Sequence, residues 1–183
     1  TRAALTAIQT VEETELGAFY MDWDGNATFK DRDSYVKAAG AIPTVFTDNE
    51  TEVAGITYQG VSFGLDDTLI QNVVTVQPLG LAAQTVTDPA SVTEYFAHAV
   101  VKSDLLMTTT ADALAQAEAI VTARAYDELR IDSILLDISN DVEPARVIAA
   151  LNLDYLSNIR VVRTAPGGLI DKTLLIHGVT HDV

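Results

Sequence analysis

The sequence predicts an α+β fold in which mostly antiparallel strands form a barrel or an open sheet, with two to four helices packed against it. Two observations favour this class. Residues 54–77 and 158–183 are rich in β-branched residues and contain turn-forming glycine and proline. Residues 1–16 and 111–126 instead repeat their apolar side chains at helical spacing. The chain length of 183 residues suits one domain of ordinary size, so residues 1–183 are expected to form a single domain.

The C-terminal stretch carries the clearest strand pattern. Two segments rich in β-branched residues, 159–164 and 173–183, flank Pro166-Gly167-Gly168. Proline and glycine favour turns, and alternating segments on both sides of a turn favour antiparallel pairing. The sequence therefore predicts a long antiparallel hairpin, and no part of it has catalytic character.

A shorter hairpin is predicted near the N-terminus, where residues 19–24 alternate and Asp24-Gly25-Asn26 then turns the chain into residues 27–30. The oxygen-rich cluster around Asp22 and Asp24 also suggests a calcium loop. It lacks EF-hand spacing, in which glycine is sixth and a bidentate glutamate closes the loop. A hairpin turn with solvated aspartates is the favoured interpretation.

Four helices are expected. The first covers residues 1–16 and ends at Gly17, which occupies the place of a C-cap glycine. A short helix starts at Asp88-Pro89, because aspartate caps free N–H groups and proline fits the first helical position. The helix at residues 111–126 is the most regular, and Asn140-Asp141 is expected to cap a last short helix that extends to Leu151.

The helix at residues 111–126 has one predicted core-facing side. Gln116 and Glu118 are expected to lie off that side. Its lining residues are expected to be Leu114, Ala117, Val121 and Ala125.

Shorter strand patterns lie between these elements. Residues 33–53 are expected to be irregular apart from a short strand at 44–46, and residues 98–102 continue as a strand. Residues 130–138 are a further candidate strand with one mostly apolar side. No internal repeat or linker is visible, and the only suggestion of a seam is near Gly80.

The composition narrows the functional classes. There are 26 acidic and 11 basic residues, for a formal net charge of −15, and such a chain repels phosphate backbones. Specific nucleic-acid binding is therefore not expected. The absence of cysteine excludes disulfides, thiolate zinc sites and cysteine nucleophiles. No apolar run is long enough for a membrane span, and the start lacks both methionine and a signal-peptide pattern, so the chain is expected to be the C-terminal part of a longer protein.

The residues that could carry chemistry are few. His177 and His181 have the four-residue gap of zinc-binding helices but lie in a strand pattern, where that gap spans roughly 13 Å. They are interpreted as polar positions of a barrel wall. The carboxylate pairs Asp66-Asp67 and Asp22/Asp24 could serve a glycosidase, yet chance pairs are expected in so acidic a chain. The sequence therefore predicts no catalytic residue, no cofactor and no metal site.

Aromatic side chains give one alternative. Phe19, Tyr20 and Trp23 could stack on a sugar, although aromatic residues of a hairpin more often face a core or a subunit contact. A carbohydrate-binding module therefore stays open as a second function.

Four segments carry a resemblance to a known family. They are residues 17–32, with an aromatic stretch before Asp-x-Asp-Gly and Phe-Lys-Asp-Arg; residues 65–76, with an acidic pair before a strand containing asparagine; residues 88–106; and residues 160–183, which begin Arg-Val-Val-Arg-Thr-Ala-Pro-Gly-Gly. In this order they resemble minor tail proteins of long-tailed, siphovirus-type phages or prophages of actinobacteria, especially their tail-tip hub proteins.

The resemblance implies a non-enzymatic virion component with a fold like that of tail-tube and baseplate-hub domains. Such a protein would form a ring at the distal end of the tail tube, as a homo-oligomer for which hub analogy favours a trimer. Its other partners would be tail proteins, namely the tail tube, the distal tail protein and the tape measure. An acidic ring interior would also let DNA pass without sticking. On this basis the alternative function becomes a carbohydrate-binding module of the phage adsorption apparatus.

Overall fold

The secondary structure comes from a computed structural model, which describes residues 2–22, 24–51, 53–65, 67–139, 143–165 and 167–180. The α-helices of these residues are α1 (Arg2–Glu15), α2 (Arg32–Ala39), α3 (Pro89–Tyr95), α4 (Thr110–Arg124) and α5 (Pro144–Leu151). The strands are β1 (Ala18–Met21), β2 (Ala27–Lys30), β3 (Thr44–Thr47), β4 (Ile56–Thr57), β5 (Gly60–Gly64), β6 (Val73–Pro78), β7 (Gln84–Thr87), β8 (Ala99–Leu105), β9 (Arg130–Leu135), β10 (Asn158–Ala165) and β11 (Gly168–Leu175).

The chain divides into two compact units. Unit 1 combines Thr1–Arg32 with Gly64–Arg130, and unit 2 combines Asp33–Phe63 with Ile131–Val183. Gly80, where the sequence suggested a seam, lies within unit 1.

Unit 1 is built on a three-stranded sheet of order β7-β6-β8, covered by α4. Strand β6 pairs antiparallel with β7 and parallel with β8. The core between sheet and helix includes Val74 and Val76 of β6, which are fully buried. They meet alanine side chains of α4, Ala113 and Ala117, which are equally buried. Small side chains let the helix lie close to the sheet.

Helix α4 buries a face that overlaps the predicted one but also includes Gln116 in place of Leu114. Ala117, Val121 and Ala125 are buried as expected. Leu114, however, is 38% exposed, and Gln116 is only 1% exposed. The Gln116 amide nitrogen donates a hydrogen bond of 2.9 Å to the carbonyl oxygen of Glu13 on α1, so a tertiary contact holds the polar side chain inside.

The N-terminal part of unit 1 consists of α1 and the predicted hairpin β1–β2. Leu16, not Gly17, takes the left-handed conformation at the end of α1, with φ 49°. Gly17 is needed for another reason: a Cβ atom there would lie 2.5 Å from the carbonyl oxygen of Lys30 on β2. The hairpin is fixed to α1, because the backbone N–H of Phe19 donates to the carboxylate of Glu12.

Unit 2 contains a four-stranded sheet of order β11-β10-β3-β4. The predicted C-terminal hairpin forms, with all eight residues of β10 paired antiparallel to β11. Its second strand is Gly168–Leu175 and not residues 173–183, so it begins earlier and ends earlier than predicted. On its other side β10 pairs with β3, and β3 pairs with β4, both in parallel. The core of this unit includes Phe46 and Val161, and β5 and β9 form a separate two-stranded sheet.

The α+β class is confirmed, with several differences from the prediction. The strands of the described ranges form separate sheets and not a closed barrel. Apart from the pairing of β5 with β9, three strand pairings are antiparallel and three are parallel. Those ranges also hold five α-helices, compared with the two to four predicted. The extra helix is α2, in a stretch predicted to be irregular, and β7 was not foreseen.

Helix α5 begins differently from the prediction. Glu143 occupies the N-cap position without a side-chain cap, and Pro144 follows it. Asn140 and Asp141, the predicted cap, lie outside the residues that the structure describes. Over the described part of the chain, every helix is too short or too polar to cross a bilayer.

Candidate assembly surface

Strand β11 forms one edge of the sheet in unit 2. Within the described residues it has β10 on one side and no strand on the other. Its eight residues extend over roughly 26 Å at the usual rise per residue. The opposite edge, β4, has only two residues. An edge strand presents backbone N–H and C=O groups that another strand can pair with, so β11 is the longer template of the two.

The hydrogen-bond pattern indicates which residues of β11 face outward. Ile176, just beyond the strand, donates its N–H to the carbonyl oxygen of Ser157 at 3.0 Å. Inward and outward N–H groups alternate along an antiparallel pair. The outward-facing backbone groups are therefore those of Leu169, Asp171, Thr173 and Leu175.

The strand is held rigidly against β10. Arg160 on β10 donates two hydrogen bonds to the carboxylate of Asp171, at 2.9 and 2.6 Å. Hydrogen bonding to the Arg160 guanidinium lowers the pKa of Asp171, so this carboxyl group is ionised at neutral pH. Because the charge of Asp171 is balanced within the sheet, it opposes a neighbouring strand less than an unpaired carboxylate would.

The strand behind β11 is firmly embedded. Val161 and Val162 of β10 are buried, and the Tyr58 hydroxyl donates to the carbonyl oxygen of Val162 at 3.2 Å. Burial is the main cause that raises the pKa of Tyr58. At the end of β10, both carboxylate oxygens of Asp48 accept from the N–H of Thr164 at 3.0 Å. The outer strand therefore rests on a well-packed support.

The oxygen-rich cluster around Asp22 forms a hairpin turn, the interpretation that the sequence favoured over a calcium loop. Asp22 accepts the N–H of Asn26 at 2.7 Å, and this backbone hydrogen bond is the main cause that lowers the Asp22 pKa. Gly25 donates to the Asp22 carbonyl oxygen at 2.9 Å and has φ 82°, a conformation that glycine adopts easily. The Asp22 carboxylate is thus used within its own turn. Across the described ranges, no three His, Asp or Glu side chains converge as metal ligands.

The other candidate residues are scattered. His177 lies beyond the end of β11, so the prediction that it lies in a strand was wrong. Its ring makes an edge-to-face contact with the ring of Tyr155, with the two centroids 5.8 Å apart. Asp67 lies 4.0 Å from His98. Phe19 and Tyr20 are half-buried in β1. Trp23, Asp66, Pro166 and His181 lie outside the described residues.

A shallow groove of about 380 Å³ lies in unit 2 between β3, β4 and α5. Its polar rim is occupied by an ion pair, since Arg146 donates to the Glu50 carboxylate at 2.6 Å. Hydrogen bonds from Thr57 and then Arg146 lower the pKa of Glu50. Among the side chains that the structure describes at this groove, Arg146 is thus paired with both Glu50 and Glu143.

Sequence reasoning found the hairpin but not its position at an edge. That position depends on the parallel pairing of β10 with β3, in register from Ile159 opposite Thr44. Pairing over such a distance along the chain leaves no local signal. No family model, curated protein or solved structure matches the chain.

Proposed function

We propose that the chain is a structural, non-enzymatic component of a phage tail tip. It is a hub- or baseplate-like minor tail protein that assembles as a ring at the distal end of the tail tube, with a trimer as the favoured copy number. Its partners in the virion are further copies of itself and the tail-tube, distal tail and tape-measure proteins. The proposal starts from the resemblance of four ordered segments to minor tail proteins of actinobacterial phages.

The observation that supports assembly best is the outer edge of β11. Its four outward-facing residues present eight backbone N–H and C=O groups, so a neighbouring strand could make up to about eight hydrogen bonds there. Each is worth about 0.5–1.5 kcal/mol net. Strand addition along this edge would join neighbouring copies. A ring of three requires β11 to pair with a different surface of the next copy, because β11 paired with itself would close a dimer. A closed ring leaves no such edge exposed.

The negative charge of the chain supports a role in which the protein lies beside DNA without binding it. A formal charge of −15 repels phosphates, which suits the lining of a conduit through which DNA must pass. This part of the proposal requires acidic side chains toward the ring interior. A structure of the assembled ring with a neutral or basic interior would contradict it.

The test of assembly compares the native mass of the chain with that of an edge-blocked variant. Native mass spectrometry of the unmodified chain is expected to show multiples of the 19.6 kDa chain, with three copies prominent. Thr173→Pro removes one outward N–H of β11, and proline is tolerated on edge strands whose N–H faces solvent. This variant is expected to stay monomeric.

The matched control is Thr173→Val, which keeps both the outward N–H and the β-branched shape. It is expected to assemble like the unmodified chain. The assembly proposal fails if the unmodified chain is monomeric at about 100 μM, or if Thr173→Pro assembles normally while its circular dichroism shows a folded protein. Glycan binding with a discrete site in place of assembly would favour the carbohydrate-binding alternative.

A further inference from the structure

An exposed aromatic cluster lies in unit 1. It consists of Tyr95 and Phe96 at the end of α3 and Tyr126 just after α4. Phe96 is 82% exposed and Tyr126 is 48% exposed. The rings of Tyr95 and Tyr126 are in edge-to-face contact, with their centroids 6.2 Å apart. We call these three residues the aromatic cluster.

The exposure of Phe96 is imposed by the fold. Phe96 has φ 64°, a strained conformation for a bulky residue. The side chain of Asn72, which is fully buried, fixes the backbone that follows the Phe96 Cα atom. Its amide nitrogen donates to the Phe96 carbonyl oxygen at 2.7 Å, and its oxygen accepts the N–H of His98 at 2.7 Å. The ring is therefore presented to solvent by a rigid segment.

The same network joins the two chain segments that carry the cluster. Asn72 also donates to the Ser91 hydroxyl at 3.0 Å, and Ser91 donates to the carbonyl oxygen of Ala125, next to Tyr126. Ser91 is fully buried. The first turn of α3, the residue that follows α3, the end of α4 and the residue before β6 are thus joined by hydrogen bonds.

Carboxylates surround these rings. The Tyr95 hydroxyl donates to Asp127 at 2.8 Å, a hydrogen bond that is the main cause raising the Tyr95 pKa to about 12. Desolvation and the charges of Asp88 and Glu94 raise the pKa of Tyr126. Asp127 therefore lies at the Tyr95 hydroxyl, Asp88 and Glu94 lie close enough to act on the Tyr126 phenol, and Arg124 is the basic residue in the last turn of α4. The cluster is apolar at its centre and acidic at its rim.

We propose that the aromatic cluster docks a basic segment of a partner protein, in which lysine or arginine side chains flank an apolar residue. Aromatic side chains in the centre of an interface supply most of its binding energy. Lysine and arginine bind both aromatic faces and carboxylates. A second copy of this chain fits poorly, because 26 acidic residues outnumber 11 basic ones. The inference goes beyond ring assembly and does not depend on it.

The probe is a short fluorescein-labelled peptide with one leucine flanked by lysines. Its counterpart carries glutamate in place of each lysine. Fluorescence anisotropy with the full chain is expected to detect binding of the lysine peptide only, and binding should weaken as salt is raised because the rim interaction is electrostatic. Backbone amide shifts on binding should map to residues 94–98 and 124–127.

Phe96→Asn removes the most exposed ring of the cluster. With φ 64° and ψ −178°, the backbone at this position is strained for any residue except glycine, so asparagine is no worse placed there than phenylalanine and the variant is expected to fold. Loss of this exposed aromatic side chain should weaken peptide binding by about 10-fold or more. The matched control is Leu79→Asn, which alters a residue 62% exposed just beyond the far end of β6 and should bind within about twofold of the parent.

Four results would overturn the inference. The first is no binding of the lysine peptide up to about 1 mM, and the second is equal binding of the glutamate peptide. The third is unchanged binding by folded Phe96→Asn. The fourth is evidence that the cluster binds something else. Amide shifts at the cluster with maltohexaose or chitohexaose, but not with the peptide, would indicate a sugar. A dimer in ultracentrifugation that Phe96→Asn abolishes would indicate a second copy of the chain. A failed peptide test leaves the mass-spectrometric test of β11 unaffected, because the two use different residues and readouts.

Discussion

Replacing Asn72 by alanine is expected to destabilise unit 1 strongly. Asn72 makes three hydrogen bonds of 2.7 to 3.0 Å from a fully buried position, to Ser91, Phe96 and His98. Each such bond contributes about 0.5–1.5 kcal/mol, and a buried partner left unsatisfied costs about 1–3 kcal/mol. Asn72→Ala should therefore cost about 3–5 kcal/mol, a large share of the roughly 5–15 kcal/mol typical of a native protein.

The assay is urea unfolding followed by circular dichroism, with hydrogen exchange as a local readout. At an m value of about 1.5 kcal/mol/M, the midpoint should fall by roughly 2–3 M urea. The amide of His98 should lose its protection, because its acceptor is the Asn72 side-chain oxygen. Thr85→Ala is the control, since it removes only an exposed hydroxyl contact of 2.8 Å with Thr75 and should cost less than about 1 kcal/mol.

A midpoint for Asn72→Ala within about 0.5 M of the parent, with His98 still protected, would refute this reasoning. It would mean that Asn72 does not fix the Phe96 backbone, and the rigid presentation of the aromatic cluster would lose its physical basis.

Three further substitutions test other parts of the structure. Gly17→Ala places a Cβ within 2.5 Å of a β2 carbonyl and should cost about 2 kcal/mol in urea unfolding, whereas Gly167→Ala, with no atom within 4 Å, should be neutral. Gln116→Ala should lower the free energy of unfolding by about 1–3 kcal/mol, because it leaves the Glu13 carbonyl oxygen of α1 without its donor. Leu114→Gln should change the free energy of unfolding by less than about 0.5 kcal/mol, because Leu114 is partly exposed. If Leu114→Gln were the more destabilising of the two, the helix face predicted from the sequence would be the buried one. The pKa of Asp171 is lowered in the folded state, so its stabilisation is present above the ordinary carboxyl pKa of 3.8 and is lost as pH falls through the lower folded pKa. Asp171→Asn should therefore be less stable than the parent at pH 7 and approach it below pH 3.8, and a constant difference from pH 7 to 2.5 would contradict the Arg160 contact.

Local chemistry in the sequence predicted most of the elements that have strong end signals. Asp88-Pro89 starts α3 as expected, with the Asp88 carboxylate accepting the N–H groups of Ala90 and Ser91 at 3.0 Å. Both hairpins also form where turn residues interrupt alternating segments. Such signals act within a few residues, so they can be read without the fold.

The sequence predictions that were wrong have physical causes of two kinds. Helix α2 buries no residue, so it lacks the apolar stripe from which a surface helix is recognised. Helix α4 is rich in alanine, which fits more than one face, and the face was chosen by a contact between Gln116 and Glu13 103 residues apart. The parallel pairing of β3 with β10 is likewise a long-range event. The edge position of β11 follows from that pairing and could not be derived from the hairpin itself.

The two proposed surfaces make separable demands on the molecule. Pairing through β11 joins copies of one chain, so the unfolding midpoint should rise with protein concentration, because association stabilises the folded state by mass action. Docking at the aromatic cluster involves a different protein, so it should raise the midpoint only when the basic peptide is added. Thr173→Pro should abolish the first effect and leave the second, and Phe96→Asn should do the reverse. If either substitution removed both effects, the surfaces would not be independent, and assembly and partner docking would have to be explained by one site.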